Sequence, residues 1–363
     1  MSKVSVIKCP NYVQADVDKA VAKSLKDLGI AFNKDDKVML KPNMLMAKKP
    51  EFAVSTHPSV VEAVCKILKN SGCEIMIAES SGWNTENAFT VSGIRAVAEK
   101  YDARIIILEK QKTVEKNIGG KVLKSLKTTD IMDFPDYIIN LPKMKTHSLM
   151  KITGAVKNIF GLVPGTTKPF YHMKGNTEEL FAELLLDIYE YYKPKIKVNI
   201  MDAIIGMEGE GPGNGDPKNT GLIIASTDAL SLDIVQARIM GVDLKNAPYI
   251  NAALKRGASG SVELSGDIKD IGKYPEYRMP GKRNLMKTIV SSARTYLFKP
   301  EALIPDVDKR KCIKCSICAK NCPVNCISMK PYPTFDRSIC IKCYCCHEHC
   351  PEGAIYLTRE NAQ

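Results

Sequence analysis

The stretch "PSVVEAVCKILKNSGCEIMIAESSG", Pro58 to Gly82, reads as a helix that hands over to a strand. Val60, Val61, Val64, Ile67 and Leu68 recur at three- and four-residue steps, which gives the helix one apolar face. Pro58 at the first helical position and Gly72 just past the last mark its ends. "EIMIAES" is a short β-rich run, and it stops in the polar turn Glu79, Ser80, Ser81, Gly82.

The alternation extends in both directions. Strand-like runs "KVSVIKC", "KVMLKPN", "RIIILE", "DYIINLP", "KVNIMDA" and "GLIIAST" alternate with helical patterns such as "VDKAVAKSLKDLG", "ENAFTVSGIRAVAEKY", "TEELFAELLLDIYEYY" and "DALSLDIVQARIMG". This order predicts an α/β fold: a mostly parallel sheet with helices on both faces. Such sheets bind ligands outside the carboxyl ends of their strands. Lys41 and Asn43 follow the second strand, Ser80 and Ser81 the third, Asn140 and Lys143 the fifth, Asp202 the sixth, and Ser226, Thr227 and Asp228 the seventh. Singly, each is an ordinary turn whose Asp or Ser caps the next helix. Together they mark one rim.

"LPKMKTHSLMKITGAVKNIFG", Leu141 to Gly161, crowds Lys143, Lys145, Lys151 and Lys157 around His147 at that rim. A helix beginning near Lys151 would set Gly154, Lys157, Asn158 and Gly161 on one face. Any single lysine is expected on a solvated surface. As a set, Lys41, Asn43, Ser80, Ser81, Lys143, Lys151, Lys157 and Asn158 predict a site for a phosphate or carboxylate, with His147 and Lys145 as its acid–base groups. Lys168, His172 and Lys174 fall in a loop able to close over the same place, whereas His57, next to Pro58, is accounted for as a helix cap. The glycine-rich "GMEGEGPGNGDP", Gly206 to Pro217, predicts an unusual loop with Glu208, Glu210 and Asp216 on it. It is neither a dinucleotide fingerprint nor a Walker loop.

The carboxyl-terminal part carries a duplication. "CIKCSICAKNCP" and "CIKCYCCHEHCP" both fit C-x2-C-x2-C-x3-C-P. The x2 spacings bring three thiolates from one tight loop to one cubane, and the fourth cysteine of each run reaches the other cluster. Cys312, Cys315, Cys318 and Cys350 are therefore assigned to one [4Fe–4S] cluster, and Cys340, Cys343, Cys346 and Cys322 to a second. Zinc sites favour pairs of C-x2-C, and disulfides are disfavoured in a reducing cytosol. Cys326 and Cys345 align with Ala354 and Ile317 and are expected to pack as small hydrophobes. His347 and His349 are expected as exposed polar residues; Cys9, Cys65 and Cys73 read as structural.

A net charge of +12 invites a nucleic-acid partner, but ten of the 13 cysteines lie between Cys312 and Cys350, where clusters add negative charge. The remaining basic residues lack aromatic interleaving, so no nucleic acid is expected. An anionic small molecule or an acidic redox partner protein fits the lysines better. No apolar run is long enough to span a bilayer and the amino terminus lacks a secretory pattern, which sets a cytoplasmic expectation. Between Lys269 and Ile304 the chain is basic, and "LMKTIVSSARTYLF" has one apolar helical face. It is read as a helix packing one domain on the other rather than as a membrane-surface helix. The expected boundaries are 1–265, 266–304 and 305–363.

"KPN" at Lys41, "THPSVVEAV" from Thr56, "ESSG" from Glu79, "LPKMKTH", "GAVKNIFG" and "GEGPGNG" together resemble the family called domain of unknown function 362. The last part of the chain resembles the bacterial two-cluster ferredoxins, a small α+β fold. The resemblance implies an iron–sulfur protein of redox type and gives no substrate. The expectation is an oxidoreductase or electron-transfer protein that passes single electrons through two [4Fe–4S] clusters to or from an anion at the rim. Its rivals are a carrier whose large domain only docks a redox partner, and a non-redox enzyme with structural clusters.

Overall fold

The computed structural model describes residues 2–82, 84–272, 274, 276–280 and 303–358. Its strands are β1 Ser2–Lys8, β2 Lys37–Pro42, β3 Glu74–Glu79, β4 Arg104–Ile107, β5 Thr113–Asn117, β6 Ser125–Thr129, β7 Tyr137–Leu141, β8 Lys143–His147, β9 Lys151–Thr153, β10 Ile196–Glu208, β11 Asp216–Ser226 and β12 Val262–Gly266. Apart from the β5–β6 hairpin they form one sheet in the order β12-β1-β11-β10-β7-β2-β3-β4, with β8 beside β10 and β9 beside β8. The run β10-β7-β2-β3-β4 is parallel throughout, as the sequence predicts.

Alternate residues of each strand feed opposite cores, because successive side chains point to opposite faces. Val38, Leu40, Ile75 and Ile77 meet α1 Gln14–Asp27, α2 Pro58–Asn70, α3 Thr85–Val91 and α4 Ile94–Lys100. Met39, Met76, Ala78 and Ile138 meet α5 Ala155–Asn158, α7 Glu178–Tyr192, α8 Ala229–Ile239 and α9 Pro248–Lys255, with α6 Lys168–Lys174 alongside. The helix starts are written in the sequence: His57 Nδ1 accepts from Ser59 N–H ahead of α2, Thr177 caps α7 and Asp228 caps α8. The single helix expected from Glu86 to Tyr101 is two, because Gly93 takes φ +78° between α3 and α4.

Three expectations at the rim change. β11 runs antiparallel to β10 and β1, and Ser226 pairs with Asn199 near the start of β10. The chain therefore leaves Ser226 toward the amino-terminal ends of the parallel strands, while Ser226 itself stays in the row of Asn199, Asn140 and Lys41. Asp202 is inside β10, not at its end, and the glycine-rich stretch is mostly the tip of the β10–β11 hairpin. Finally, "KMKTH" does not leave the sheet. Pro142 interrupts β7, its carbonyl accepts from Asp202 N–H, and β8 continues along β10 as a fully buried strand. Lys151 belongs to β9, and the helix starts only at Ala155.

The cysteine module is built from β13 Ile304–Val307, α10 Ile317–Lys320, β14 Ile327–Met329, β15 Pro333–Phe335, α11 Cys345–Glu348 and β16 Ile355–Thr358, with β13 pairing β16 and β14 pairing β15. Its duplication is visible in the backbone: Lys314 and Ser316 in the first copy, and Lys342 and Tyr344 in the second, all take positive φ. The predicted helix of the basic segment lies outside the described residues. Among the described residues no helix is long and apolar enough to cross a membrane.

Candidate functional site

Each turn of the module directs thiols inward. Cys312, Cys315, Cys318 and Cys350 line one small void; Cys322, Cys340, Cys343 and Cys346 line a second. The first void takes in the four cysteines of one assigned set; the second takes in those of the other together with Cys326 and Cys345. Among the described residues no three His, Cys, Asp or Glu side chains close on a point as ligands of a single ion do. Cysteines spread around a void suit a multinuclear group instead. Backbone N–H groups already point at the crossing sulfurs: Cys326 N–H donates to Cys322 Sγ at 3.3 Å and Ala354 N–H to Cys350 Sγ at 3.2 Å. Such bonds stabilise thiolate sulfur and tune a cluster's potential. The donor set fits 4Fe–4S ligation, and the group bound there supplies one-electron chemistry.

A third cavity, about 100 Å³, lies between the module and the α/β domain. Lys41, Asn43, Ser80, Lys145, Lys157 and Asn158 line it, together with Glu79, Lys168 and His172 of the large domain. Asn321, Cys345, Glu348 and His349 come from the module. The site is thus shared, and Cys345 faces both this cavity and the second cysteine void.

The charges are arranged unevenly. Lys41 Nζ donates to Glu79 Oε2 at 2.6 Å and to the Pro42 carbonyl at 2.7 Å, a buried and satisfied ion pair. Lys145 Nζ donates to the Val54 carbonyl at 2.8 Å. Burial first, then the neighbouring Lys157 and Lys143, push its amine well below the ordinary lysine value. Burial also lowers Lys157, opposed by Glu348, and brings Lys168 to about 8. Lys168 donates to the Ser80 carbonyl. Four lysines against two glutamates leave an excess of two positive charges when all are ionised.

Polar atoms without partners gather here. Asn43 Oδ1, His172 Nδ1, Asn321 Nδ2, Glu348 Oε1 and His349 Nδ1 are buried and make no hydrogen bond. A buried polar atom left so costs about 1–3 kcal/mol. Five around one cavity mark a place built for a ligand or ordered water. Glycines keep the walls close: a Cβ on Gly82 would stand 2.1 Å from His349 Nε2, and one on Gly161 would stand 2.5 Å from Lys41 Nζ.

Several predicted residues stand elsewhere. Lys143 is 2.6 Å from Asp202 Oδ2 and 2.7 Å from the Tyr12 hydroxyl, which also donates to Asp202 Oδ1 at 2.8 Å. Tyr12 stacks on His57 with ring centres 3.6 Å apart, so Lys143 belongs to a closed network outside the cavity. Ser81 turns to Thr85 at the start of α3, and Lys151 on β9 is not part of the lining. His147 sits behind the wall. Its Nδ1 accepts from Leu149 and Met150 N–H groups at 3.1 and 3.2 Å, so the proton of the neutral ring is on Nε2, 3.2 Å from Glu348 Oε1. Burial, reinforced by Lys157 and Lys145, holds the ring neutral. Neither Nε2 nor Glu348 Oε1 makes a hydrogen bond, and His147 lies outside the cavity lining.

Glu348, which the sequence reading passed over, and His349, expected as an exposed polar residue, both line the cavity. The signal was in the duplication: the first copy has Lys320 and Asn321 where the second has Glu348 and His349. Both copies reach the cavity at this register, the first through Asn321 and the second through Glu348 and His349. His347, expected on the surface, is buried, with Nδ1 2.7 Å from the Ile355 carbonyl. Asn214, on the glycine-rich hairpin tip, donates to the His347 carbonyl at 3.1 Å and anchors the module.

Fold and site together define an α/β protein with an appended iron–sulfur module, the two sharing a lysine-rich cavity. The chain belongs to the family described as "Domain of unknown function (DUF362)", which matches residues 38–238. A "4Fe-4S binding domain" matches residues 305–328. The chain is 28% identical over 312 residues to the "Thylakoid-associated protein sll1697" of Synechocystis sp., covering 82% of this chain and 96% of that one. The lactate racemase apoprotein from Thermoanaerobacterium thermosaccharolyticum is a distant structural neighbour, with a TM-score of 0.42 and 12% identity, over 65% of this chain and 57% of its own.

Proposed function

We propose that the protein is an iron–sulfur oxidoreductase or electron-transfer protein that passes single electrons, through two [4Fe–4S] clusters, to or from an anion bound between its domains. The observation that carries this reading is the shared wall at Cys345. A ligand among Lys145, Lys157 and Lys168 lies one side chain away from the void ringed by Cys322, Cys340, Cys343 and Cys346. The other void lies beside exposed surface at Cys315 and Ile313, where a redox partner protein has access. Electrons would enter at the first cluster and reach the ligand from the second, or run in reverse. Eight thiolate ligands require a reducing compartment, and the reading sets the protein in the cytoplasm.

Iron analysis and electron paramagnetic resonance of the anaerobically reconstituted chain test the cluster count. About eight irons per chain are expected, falling to about four in Cys350→Ala or Cys322→Ala with loss of one reduced-cluster signal. Four irons in the unaltered chain, or zinc in their place, would contradict the two-cluster reading.

A further inference from the structure

We propose that the interdomain cavity binds a phosphoryl group, gripped by Lys145, Lys157 and Lys168 and closed over by Asn321 and His349 of the cysteine module. This names the anion of the electron-transfer reading and rests on it.

The charge count points to a dianion. Lys41 is neutralised by Glu79 at 2.6 Å, and Glu348 offsets one of the remaining three lysines. Two positive charges are left without a carboxylate. The geometry points to a tetrahedral anion. The three lysines come from β8, α5 and α6, so their ammonium groups approach from separate elements. Among the described residues no arginine lines the cavity. A planar carboxylate is matched best by the two-pronged guanidinium, whereas lysine acts as a point charge suited to the spread oxygens of phosphate. The volume agrees with a small group. Roughly 10–15 Å³ of such space holds one water, so about 100 Å³ is room for several waters and therefore for a phosphate. The unpartnered Asn321 Nδ2 and His349 Nδ1, both on the module, offer hydrogen bonds that a bound phosphate would satisfy. Phosphate would therefore tie the module to the α/β domain.

The phosphoryl group has two sources, inorganic phosphate or the phosphate end of an organic ligand whose body leaves by the mouth of the cavity. Mass spectrometry of small molecules released from anaerobically purified protein separates them. A phosphorylated organic compound identifies the second, orthophosphate alone the first, and a stoichiometric ligand without phosphorus overturns the proposal.

Binding is tested by calorimetric titration of the reconstituted full-length protein with inorganic phosphate and, in parallel, malonate. Phosphate is expected to bind at least about tenfold more tightly than malonate, and Lys157→Met to weaken it by about tenfold or more, as loss of one charge-assisted contact implies. Lys157→Arg should restore part of the affinity, and Lys151→Met should leave it unchanged. Because burial brings the Lys168 amine to about 8, binding near pH 8 should take up protons, seen as heats that vary with the ionisation enthalpy of the buffer. Malonate binding as tightly as phosphate, with the same sensitivity to Lys157, would overturn the phosphoryl assignment and leave the electron-transfer reading standing. No anion binding by protein with intact cluster spectra would overturn both and make the lysines counter-charges of the second cluster.

Discussion

Lys143 and Lys145 stand two residues apart on β8, and each is only 1% exposed, yet their surroundings differ in kind. Lys143 meets a carboxylate and a tyrosine hydroxyl whose own bonds are complete. Lys145 has a single backbone carbonyl and opens on a cavity where five polar atoms lack partners. A buried charge that is fully paired holds a fold together. One that is left under-paired beside a void is held ready for something else. The contrast separates architecture from site within one strand.

The largest effect should come from breaking the paired side. Lys143→Ala leaves Asp202 buried without its cation, and a loss of about 3–5 kcal/mol in chemical denaturation is expected. A loss below 1 kcal/mol would mean that Asp202 does not need Lys143, and the contrast would fail.

A smaller effect should come from pH. Burial lowers the Lys168 amine to about 8, under its ordinary value near 10.4 in an unfolded chain. Between those values the unfolded chain holds more protons, so stability rises with pH from about 8 to about 10.4 and does not change on this account below 8. The rise, on the order of 1–2 kcal/mol after allowance for solvent, should shrink in Lys168→Met. Denaturation curves at pH 7.5 and 10 for the two proteins read it directly.

The smallest effect is expected on the under-paired side. Lys145→Met removes a charge whose burial is poorly compensated, so stability should stay within about 1 kcal/mol or increase. If it fell as far as Lys143→Ala, Lys145 would be structural, and the two lysines would not differ.

The sequence made the cysteine sites readable because their ligands are local. Each set comes from loops of a dozen residues repeated once, and a spacing rule assigns the crossing Cys322 and Cys350. The parallel core was equally readable from the strand–helix alternation around Pro58–Gly82. The lysine cavity was readable only in part. Its walls come from β2, β3, β8, α5, α6 and α11, and no spacing links Lys41 to Lys145 or to Glu348. "KMKTH" resembled a loop because its charge hides a strand whose lysines are buried against β10. The direction of β11 was missed because nothing in "GLIIAST" tells an antiparallel strand from a parallel one; the hairpin before it does. His147 looked catalytic by residue type, and only the fold shows its Nδ1 taken up by two backbone donors behind the cavity wall.

The central claim is that an anion in the shared cavity feels the second cluster through the Cys345 wall. It is tested by an anaerobic redox titration of the reconstituted protein followed by electron paramagnetic resonance, with and without saturating inorganic phosphate. The added negative charge should make one cluster harder to reduce, lowering its potential while leaving the other unmoved, and Lys157→Met should abolish the shift. Identical potentials for both clusters with phosphate bound would contradict the account.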